Sequence, residues 1–396
     1  MSLGARRRRP PTPRFVANEL WRRAGEVPSF HIAPARTRDA SDLITGSVLG
    51  TYNSAFPAWA VGPNGVLFLP AANAPVIKYD PVTLACLGAR IWGVVTNLSL
   101  QSRDLTQAAW SKSAVTATRD QVGADGVGNT ATRLTATSSD GTCLQTITSA
   151  SATRVSGFYI RRITGTGTVE ITQDGGATWT AVSLTGTFAR YSIASATVTN
   201  PQIGFRIRSN GDEIAVDFAQ LQSAPALGPP VATTTTAASS TADVWTITGA
   251  DFSRVWNQSA VTLYAEAVRD VVPGGEFPVL IDARSVNTFE IVQSSYLTEA
   301  LAGSFARSNN VIQAELYTTG LSGIRTRRVA AAFAQDNFAI CANGGTILTD
   351  SSGTMSSPDL INLGSTGSGL FLNGYIRELA IFRSRRPNAN LQAMTP

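Results

Sequence analysis

Short apolar runs, separated by turns rich in glycine and aspartate, fill the chain from residue 97 to its end. Residues 155–162 and 261–268 alternate apolar and polar side chains with a period of two, which is typical of strands with one buried face. Many short strands divided by turn clusters such as residues 174–176 indicate antiparallel sandwiches. The sequence therefore predicts an all-β fold with two antiparallel, jelly-roll-like β-sandwich domains after an extended N-terminal arm.

Length and composition divide the chain further. Its 396 residues exceed what one hydrophobic core usually holds. The predicted division, in chain order, is an arm at 1–42, an adaptor with short strands at 43–96, a first sandwich at 97–223, a linker at 224–242 and a second sandwich at 243–396. The linker segment is rich in proline, threonine and alanine. Composition alone indicates a loose linker, and an ordered strap is the alternative.

The positive charge of the chain is concentrated in the arm. Residues 1–40 hold nine arginines against three carboxylates, whereas the rest of the chain is close to neutral. Arginines followed by prolines cannot bury apolar surface, so we expect this segment to be ordered only on a partner. A solvated tail is the other interpretation. The residues that we expect to dock are Arg6, Arg7, Arg8, Arg9, Arg14, Phe15, Leu20 and Trp21. The body has no basic stripe, so we predict no specific nucleic-acid site.

The residue inventory argues against several kinds of chemistry. His31 is the only histidine, which removes Ser-His-Asp and Cys-His nucleophiles and histidine-based metal sites from the body. Cys86, Cys143 and Cys341 lack metal-ligand spacing, and we interpret them as small buried hydrophobic residues. No apolar run reaches about 18 residues, so we predict no membrane span. We predict no catalytic residue, no metal site and no cofactor.

Acidic residues are candidates for two kinds of site, a catalytic pair and a calcium site. A glycosidase needs two carboxylates that flank a cleft, and isolated carboxylates on strands are usually solvated. The acids near strand ends are Glu266, Asp270, Asp282 and Glu290. Asp125 with Asn129, and Asp174, lie in turns and could bind Ca²⁺, but ordinary turn chemistry is the preferred interpretation. We therefore predict that the protein is not an enzyme.

Aromatic side chains are the better candidates for ligand contact. A sugar site would combine an exposed aromatic platform with amide, carboxylate or guanidinium groups. Trp179 follows a polar turn and Tyr296 lies in a polar loop, so both are predicted glycan contacts. Trp110, Trp245 and Trp256 lie at predicted strand beginnings, and packing in the core or at its rim is the preferred interpretation for any one of these aromatic side chains.

Three passages resemble a known class of protein. Tyr79-Asp80-Pro81-Val82-Thr83, together with TNLSLQSRDLTQAAW at 96–110, resembles a recurrent segment in tail-fibre, head-fibre and receptor-binding proteins of tailed bacteriophages. Residues 97–223 are similar to the carbohydrate-binding-module-like domain of such fibres. The final third, with Asn343-Gly344, Asn373-Gly374 and its closing LQAMT, resembles concanavalin/laminin-G-like modules.

The resemblance implies a bacteriophage structural protein located in the virion. The arm would dock onto a capsid, portal or tail protein, and the sandwiches would attach to host cell-surface glycans. Such fibres and spikes are commonly homotrimers, so we predict a homotrimer. One alternative is a capsid or tail decoration or adaptor protein without a ligand. A second alternative is a glycan-degrading enzyme.

Overall fold

The computed structural model describes residues 19–270, 277–285, 290–295, 298, 300–323 and 325–396. Antiparallel sheets dominate it, and the predicted all-β sandwich fold class is confirmed. The elements of the N-terminal quarter are short: α1 (Glu19–Ala24), β1 (Phe30–Ile32), α2 (Pro34–Thr37), β2 (Thr51–Asn53), β3 (Ala60–Val61), β4 (Leu67–Phe68), β5 (Ile77–Tyr79), β6 (Cys86–Ile91) and β7 (Thr96–Asn97).

The next ten strands follow one another in sequence and build the first sandwich. They are β8 (Ser111–Ser113), β9 (Val115–Gln121), β10 (Ala131–Ala136), β11 (Gly141–Thr146), β12 (Ala152–Thr164), β13 (Val169–Thr172), β14 (Thr180–Val182), β15 (Ala189–Val198), β16 (Gln202–Ile207) and β17 (Glu213–Gln222). One sheet has the order β15-β12-β17-β10-β9 and the other the order β14-β13-β16-β11-β8. Between them Phe158 and Phe205 pack edge to face with ring centroids 4.7 Å apart.

The remaining elements belong to the second sandwich and to the segment that leads into it. They are β18 (Ala238–Ser239), β19 (Val244–Thr248), α3 (Gly249–Val255), β20 (Ala260–Arg269), β21 (Val279–Arg284), β22 (Ile291–Ser295), β23 (Ala302–Ser308), β24 (Val311–Thr318), β25 (Thr326–Ala334), β26 (Phe338–Ala342), β27 (Leu348–Asp350), β28 (Leu360–Leu363), β29 (Gly374–Phe382) and α4 (Asn388–Met394). The predicted core tryptophans Trp110, Trp245 and Trp256 are all buried.

The second sandwich takes strands from both ends of the chain. Its eight-stranded sheet has the order β27-β26-β25-β20-β29-β6-β5, with β1 also paired to β29. Its seven-stranded sheet has the order β2-β19-β28-β21-β22-β23-β24. The strands β1, β2, β5 and β6 come from the segments predicted as arm and adaptor. The first sandwich is therefore an insertion within the second.

The edge of β29 accommodates two separate N-terminal strands. Residues 374–376 pair with β6, and residues 379–381 pair with β1. A β-carbon at Gly88 would lie 2.3 Å from the carbonyl oxygen of Ile376, so this crossing requires glycine. Since a sheet edge left bare invites aggregation, these strands also protect β29.

Two helices cover the outer face of the eight-stranded sheet. Leu20 of α1 and Leu391 and Met394 of α4 are buried against Ala330 and Ala332 of β25. The neighbouring residues of β25 point into the sandwich core, so this strand is buried on both faces. Its alanines allow the helices to approach the sheet closely.

The predicted linker is ordered along part of its length. The carbonyl of Val231 accepts a hydrogen bond of 2.8 Å from the side-chain amide of Asn97. Thr233 donates its hydroxyl to Ser99 and its backbone N–H to Ser102. These buried contacts hold the segment against β7 and the start of the first sandwich, as a strap would be held.

Candidate functional site

A row of side chains crosses the outer face of the seven-stranded sheet. Asn362, Asp282, Gln293, Phe305 and Glu315 are cross-strand partners on β28, β21, β22, β23 and β24. Paired residues point to the same face of a sheet. The row therefore places amide, carboxylate and aromatic groups on one surface of the second sandwich.

The row passes through a groove of about 460 Å³. The residues that line it are Phe277, Gln293, Ser295, Leu301, Gly303, Ser304, Phe305, Tyr317 and Leu370. Phe277 is 52% exposed and Tyr317 is 44% exposed, so both rings present free area to solvent. Gly303 lies between Ser295 and Tyr317 in the ladder and leaves the floor of the groove open.

Neighbouring polar groups hold the two central rings in place. The guanidinium of Arg307 lies over the Phe305 ring, 5.2 Å from its centroid, and donates a hydrogen bond of 3.0 Å to Asn310. The Tyr317 hydroxyl donates to the carboxylate of Glu315 on the same strand. The groove is therefore a prearranged aromatic surface with an amide and hydroxyls at its margin.

Asp282 lies beside the groove but is fully buried. Its carboxylate accepts hydrogen bonds from Arg284 and, at 3.3 Å, from the amide of Asn362. Burial raises the pKa of Asp282 above its usual value, and the Arg284 guanidinium only partly opposes this effect. The 364–370 loop lies over this end of the row, since Gly367 approaches the side chain of Asn362.

The other three acids considered as catalysts each have their own partners. Glu266 binds Arg328 and Arg377 at 3.0 and 2.7 Å on the eight-stranded sheet, while Asp282 lies on the seven-stranded sheet. Asp270 binds Lys78 at 2.7 Å. Glu290 accepts hydrogen bonds from Ser308, Asn309 and Ser357, which tie two loops together. These four acids thus serve structural contacts.

Of the two predicted glycan contacts, one lies on the first sandwich and the other lies outside the described residues. Trp179 is half-buried on the first sandwich, where Arg206 lies 4.4 Å from its ring centroid and Gly176 approaches the ring from the turn. Tyr296 lies outside the described residues, although its neighbour Ser295 lines the groove. Sequence reasoning missed Phe305 and Tyr317. Each of these aromatic residues alternates along its strand with small residues that are buried. This alternation is the sequence feature that indicates an aromatic side chain on the outer face.

The described docking residues, Leu20 and Trp21, contact the protein itself. Leu20 is buried beneath α4, and the Trp21 indole N–H donates to Nδ1 of His31 at 2.8 Å. Nε2 of His31 lies 2.8 Å from Glu378. The remaining predicted docking residues lie outside the described part of the chain: Arg6, Arg7, Arg8, Arg9, Arg14 and Phe15.

The turn carboxylates considered as calcium ligands accept hydrogen bonds from their surroundings. Asp125 accepts from Arg103 at 2.7 Å and from Thr130, and Asp174 accepts from Thr172 and Thr178. Within the described ranges no cluster of three or more His, Cys, Asp or Glu side chains is arranged to hold a metal ion. No helix in those ranges has the length and apolar character needed to cross a membrane.

The described cysteines are free thiols. Cys143 and Cys341 are buried, as predicted, while Cys86 is half-buried. Burial raises the pKa of the Cys143 thiol to about 12. At neutral pH this thiol is therefore protonated and behaves as a small hydrophobic side chain.

Comparison with known proteins gives structural similarities only. No family model matches the chain, and no curated protein matches it. The carbohydrate-binding module CBM40 of the Ruminococcus gnavus IT-sialidase, bound to α2,3-sialyllactose, is 14% identical, with 35% of this chain and 84% of that chain covered and a TM-score of 0.31. A heptameric SAP-like pentraxin from Limulus polyphemus is 12% identical, with 35% and 71% covered and a TM-score of 0.26.

Sialidases are also among the similar structures. Trypanosoma rangeli sialidase in complex with sialic acid is 13% identical, with 38% of this chain and 25% of that chain covered and a TM-score of 0.28. The chain thus spans about a quarter of the length of that enzyme. The prediction that the protein is not an enzyme is contradicted by this similarity to sialidases, and we withdraw it. The likeness itself is one of β-sandwich fold.

Proposed function

We propose that the protein is a bacteriophage virion structural protein, a tail fibre, head fibre or spike, that attaches to host-surface glycans through the groove on the second sandwich. The observation that carries the attachment role is the groove on the outer face of the seven-stranded sheet, where the half-buried ring of Phe305 and the exposed ring of Tyr317 lie beside Gln293. The virion assignment is supported by the sequence passages at 79–83 and 96–110 that resemble phage fibre proteins.

The chemistry of the groove suits a sugar ring. The rings of Phe305 and Tyr317 offer apolar area to the C–H face of a pyranose. Gln293 and Ser295 supply an amide and a hydroxyl within the same groove, and Glu315 supplies a carboxylate at its edge. An open groove with few polar groups gives weak binding at one site. A homotrimer with three grooves would raise the apparent affinity through multivalency.

The arm is proposed as the connection to the virion. The elements β1 and α1, which follow the basic stretch in the sequence, pack on the eight-stranded sheet of the second sandwich. We propose that Arg6, Arg7, Arg8, Arg9, Arg14 and Phe15 bind a capsid, portal or tail protein. Deletion of residues 1–18 would then abolish incorporation into particles while the purified protein stays folded. Normal incorporation of the truncated protein would refute the docking role.

The groove is tested with an array of host lipopolysaccharide and capsule fragments. Phe305→Ala and Tyr317→Ala should each weaken binding about tenfold, since one stacking contact is lost. Phe56→Ala is the matched control, because Phe56 is 70% exposed but does not line the groove. Trp179→Ala tests the alternative site on the first sandwich.

The outcomes separate the candidate roles. Unchanged binding by both groove variants would refute the groove as the site. The wild-type protein could bind none of the host glycans, while virions that lack it adsorb normally. This result would favour a decoration or adaptor protein. The same samples are assayed for released reducing ends, which would reveal glycan degradation.

A further inference from the structure

A cleft lies where the end of β17, the strap and a loop of the second sandwich meet. It measures about 390 Å³, which is within the roughly 300–1,000 Å³ of sites that hold small ligands. None of the described residues that line it carries a charge. Because an unpaired charge is costly to bury, the cleft favours a neutral ligand. The lining consists of residues 92–95, 222–226, 228, 369–371 and 373.

Hydrogen bonds hold the buried amide of Gln222 in one orientation. Its Oε1 accepts from the backbone N–H of Gly228 at 2.7 Å and from Nε2 of Gln220 at 3.0 Å. Gln220 is itself oriented, because its Oε1 accepts from the backbone N–H of Val231 at 3.0 Å. A backbone N–H can only donate, so these contacts distinguish the oxygen from the nitrogen in both side chains. The NH₂ group is therefore the end of Gln222 that is left for the cleft.

Two N–H donors of this wall lack an acceptor in the described part of the chain. They are Nε2 of Gln222, a residue 5% exposed, and Nε1 of Trp92, a residue 9% exposed. Neither nitrogen is among the unpaired polar atoms that are closed off from solvent, so each has surface that a ligand can reach. A β-carbon at Gly228 would lie 3.0 Å from Nε1 of Trp92 and 3.3 Å from Nε2 of Gln222. Both donors thus lie beside the same glycine.

The opposite side of the cleft adds a third donor and apolar area. Oδ1 of Asn373 accepts a hydrogen bond of 3.1 Å from the backbone N–H of Gly93, which identifies Nδ2 as the free end of this amide. Val94 is 64% exposed and Leu370 is 43% exposed, so both offer apolar surface at the cleft. A ligand with a neutral carbonyl oxygen next to a small apolar group matches these features.

We infer that this cleft binds the acetamido group of a neutral N-acetylated sugar. The acetamido oxygen would accept hydrogen bonds from Nε2 of Gln222 and Nε1 of Trp92, and the methyl group would pack on the apolar wall. Nδ2 of Asn373 would donate to a sugar hydroxyl. Leu370 lines both this cleft and the groove on the seven-stranded sheet, so the two sites adjoin. The choice of a sugar rests on the function proposed for that groove, whereas the acetamido chemistry comes from the cleft alone.

Saturation-transfer NMR of the full chain with N-acetylglucosamine tests the inference. The acetamido methyl protons should receive the strongest saturation, because they lie deepest in the cleft. Glucose lacks the acetamido group and should bind about tenfold more weakly, since a hydrogen-bond acceptor is missing. No transfer to N-acetylglucosamine, or equal affinity for the two sugars, would overturn the inference.

One conservative variant tests the donor directly. Gln222→Glu replaces the amide nitrogen with an oxygen, while the other oxygen still accepts from Gln220 and Gly228. It should lower the affinity for N-acetylglucosamine about tenfold or more. Gln173→Glu is the matched control, because Gln173 is also 5% exposed but does not line the cleft, and it should retain binding. Equal affinity in wild type and in the Gln222→Glu protein would overturn the inference.

Two further variants keep the test clear. Ala224→Leu fills the cleft from a half-buried position with the amides intact, so it should also abolish binding, and it serves if Gln222→Glu fails to fold. Unchanged affinity in this variant would count against the site. Phe305→Ala should leave N-acetylglucosamine binding unchanged. A silent host-glycan array with Gln222-dependent sugar binding would refute only the function proposed for the groove. A responsive array with sugar binding lost in Phe305→Ala and kept in Gln222→Glu would refute only this inference.

Discussion

The two sandwiches differ in how the chain supplies their strands. The first is built from β8 to β17, which are consecutive in sequence. The second combines β19–β29 with β1, β2, β5 and β6 from the N-terminal quarter. One of its long-range contacts joins the hydroxyl of Ser29 to the carbonyl of Ile381, 352 positions away. A module can therefore be contiguous in sequence and still interrupt the domain that surrounds it.

The sandwiches also differ in what their outer faces do. In the first, Tyr159 and Phe218 are buried against Trp59 and Val61 of the segment that carries the β3–β4 hairpin. In the second, the outer face of the seven-stranded sheet carries the open aromatic groove. The first sandwich thus uses an aromatic face for packing within the chain, and the second leaves one open to solvent.

The largest effect expected from this comparison comes from cutting the chain at the predicted domain boundaries. Residues 97–242 alone should unfold in one cooperative transition, because all ten strands of the first sandwich are present. Residues 243–396 alone should be unfolded or aggregated, because β29 and β19 lose their N-terminal partners. Circular dichroism and size-exclusion chromatography measure both. A folded monomer of residues 243–396 would show that the second sandwich does not need its N-terminal strands.

A single buried ion pair gives the next largest effect. Arg90→Met leaves the buried Asp243 carboxylate without its cation and should lower the free energy of unfolding by about 3–5 kcal/mol. Arg208→Met is the control, since Arg208 and Asp140 form an exposed pair worth about 0–1 kcal/mol. Urea denaturation measures both. Similar values for the two variants would contradict the structural role of the β6 strand.

A buried phenylalanine of β1 tests whether this N-terminal strand belongs to the core of the second sandwich. Phe30→Ala should cost about 3 kcal/mol, because the ring is fully buried in the core of the second sandwich. Phe205→Ala in the first sandwich is the matched comparison and should cost a similar amount. A loss below about 0.5 kcal/mol for Phe30→Ala, a value typical of an exposed site, would show that residue 30 belongs to a loose arm.

The smallest effect expected is one of pH. Burial works to raise the pKa of Glu378, but His31 and Arg36 outweigh it and hold that pKa below the usual value. A carboxyl with a lowered pKa stabilises the fold above its unfolded pKa of about 4.5, and the stability is lost as pH falls through the folded value. Glu378→Gln should remove this dependence, at a cost of about 1–2 kcal/mol at pH 7.

Denaturant midpoints between pH 3 and 7 check this prediction. The wild-type protein should lose more stability than the Glu378→Gln protein as the pH falls below about 4.5. Parallel curves for the two proteins would show that Glu378 does not secure the segment that carries β1.

Much of the fold could be predicted from local pattern. Ala152–Thr164 and Ala260–Arg269 are strands, as predicted, but the prediction of one buried face is wrong, since both are buried on both faces over much of their length. Trp245 lies in a strand and Trp110 directly precedes one, and both are buried. The N-terminal strands could not be found in this way. Phe30–Ile32 is a three-residue strand, and only its pairing with β29 makes it one.

The candidate site was less predictable. Whether Phe305 faces the core or solvent depends on which side of its sheet is covered, and that is decided by strands distant in sequence. Trp179 has the expected polar turn before it, but Arg206 occupies part of its ring face.

Hydrogen exchange of the full chain tests most directly whether the N-terminal strands are part of the second sandwich. If they are, the amides of Phe30–Ile32 and Cys86–Ile91 that pair with β29 should be protected from exchange to the same degree as those of Gly374–Phe382. All three segments should also open together. Rapid exchange of Phe30–Ile32, with Gly374–Phe382 still protected, would contradict it.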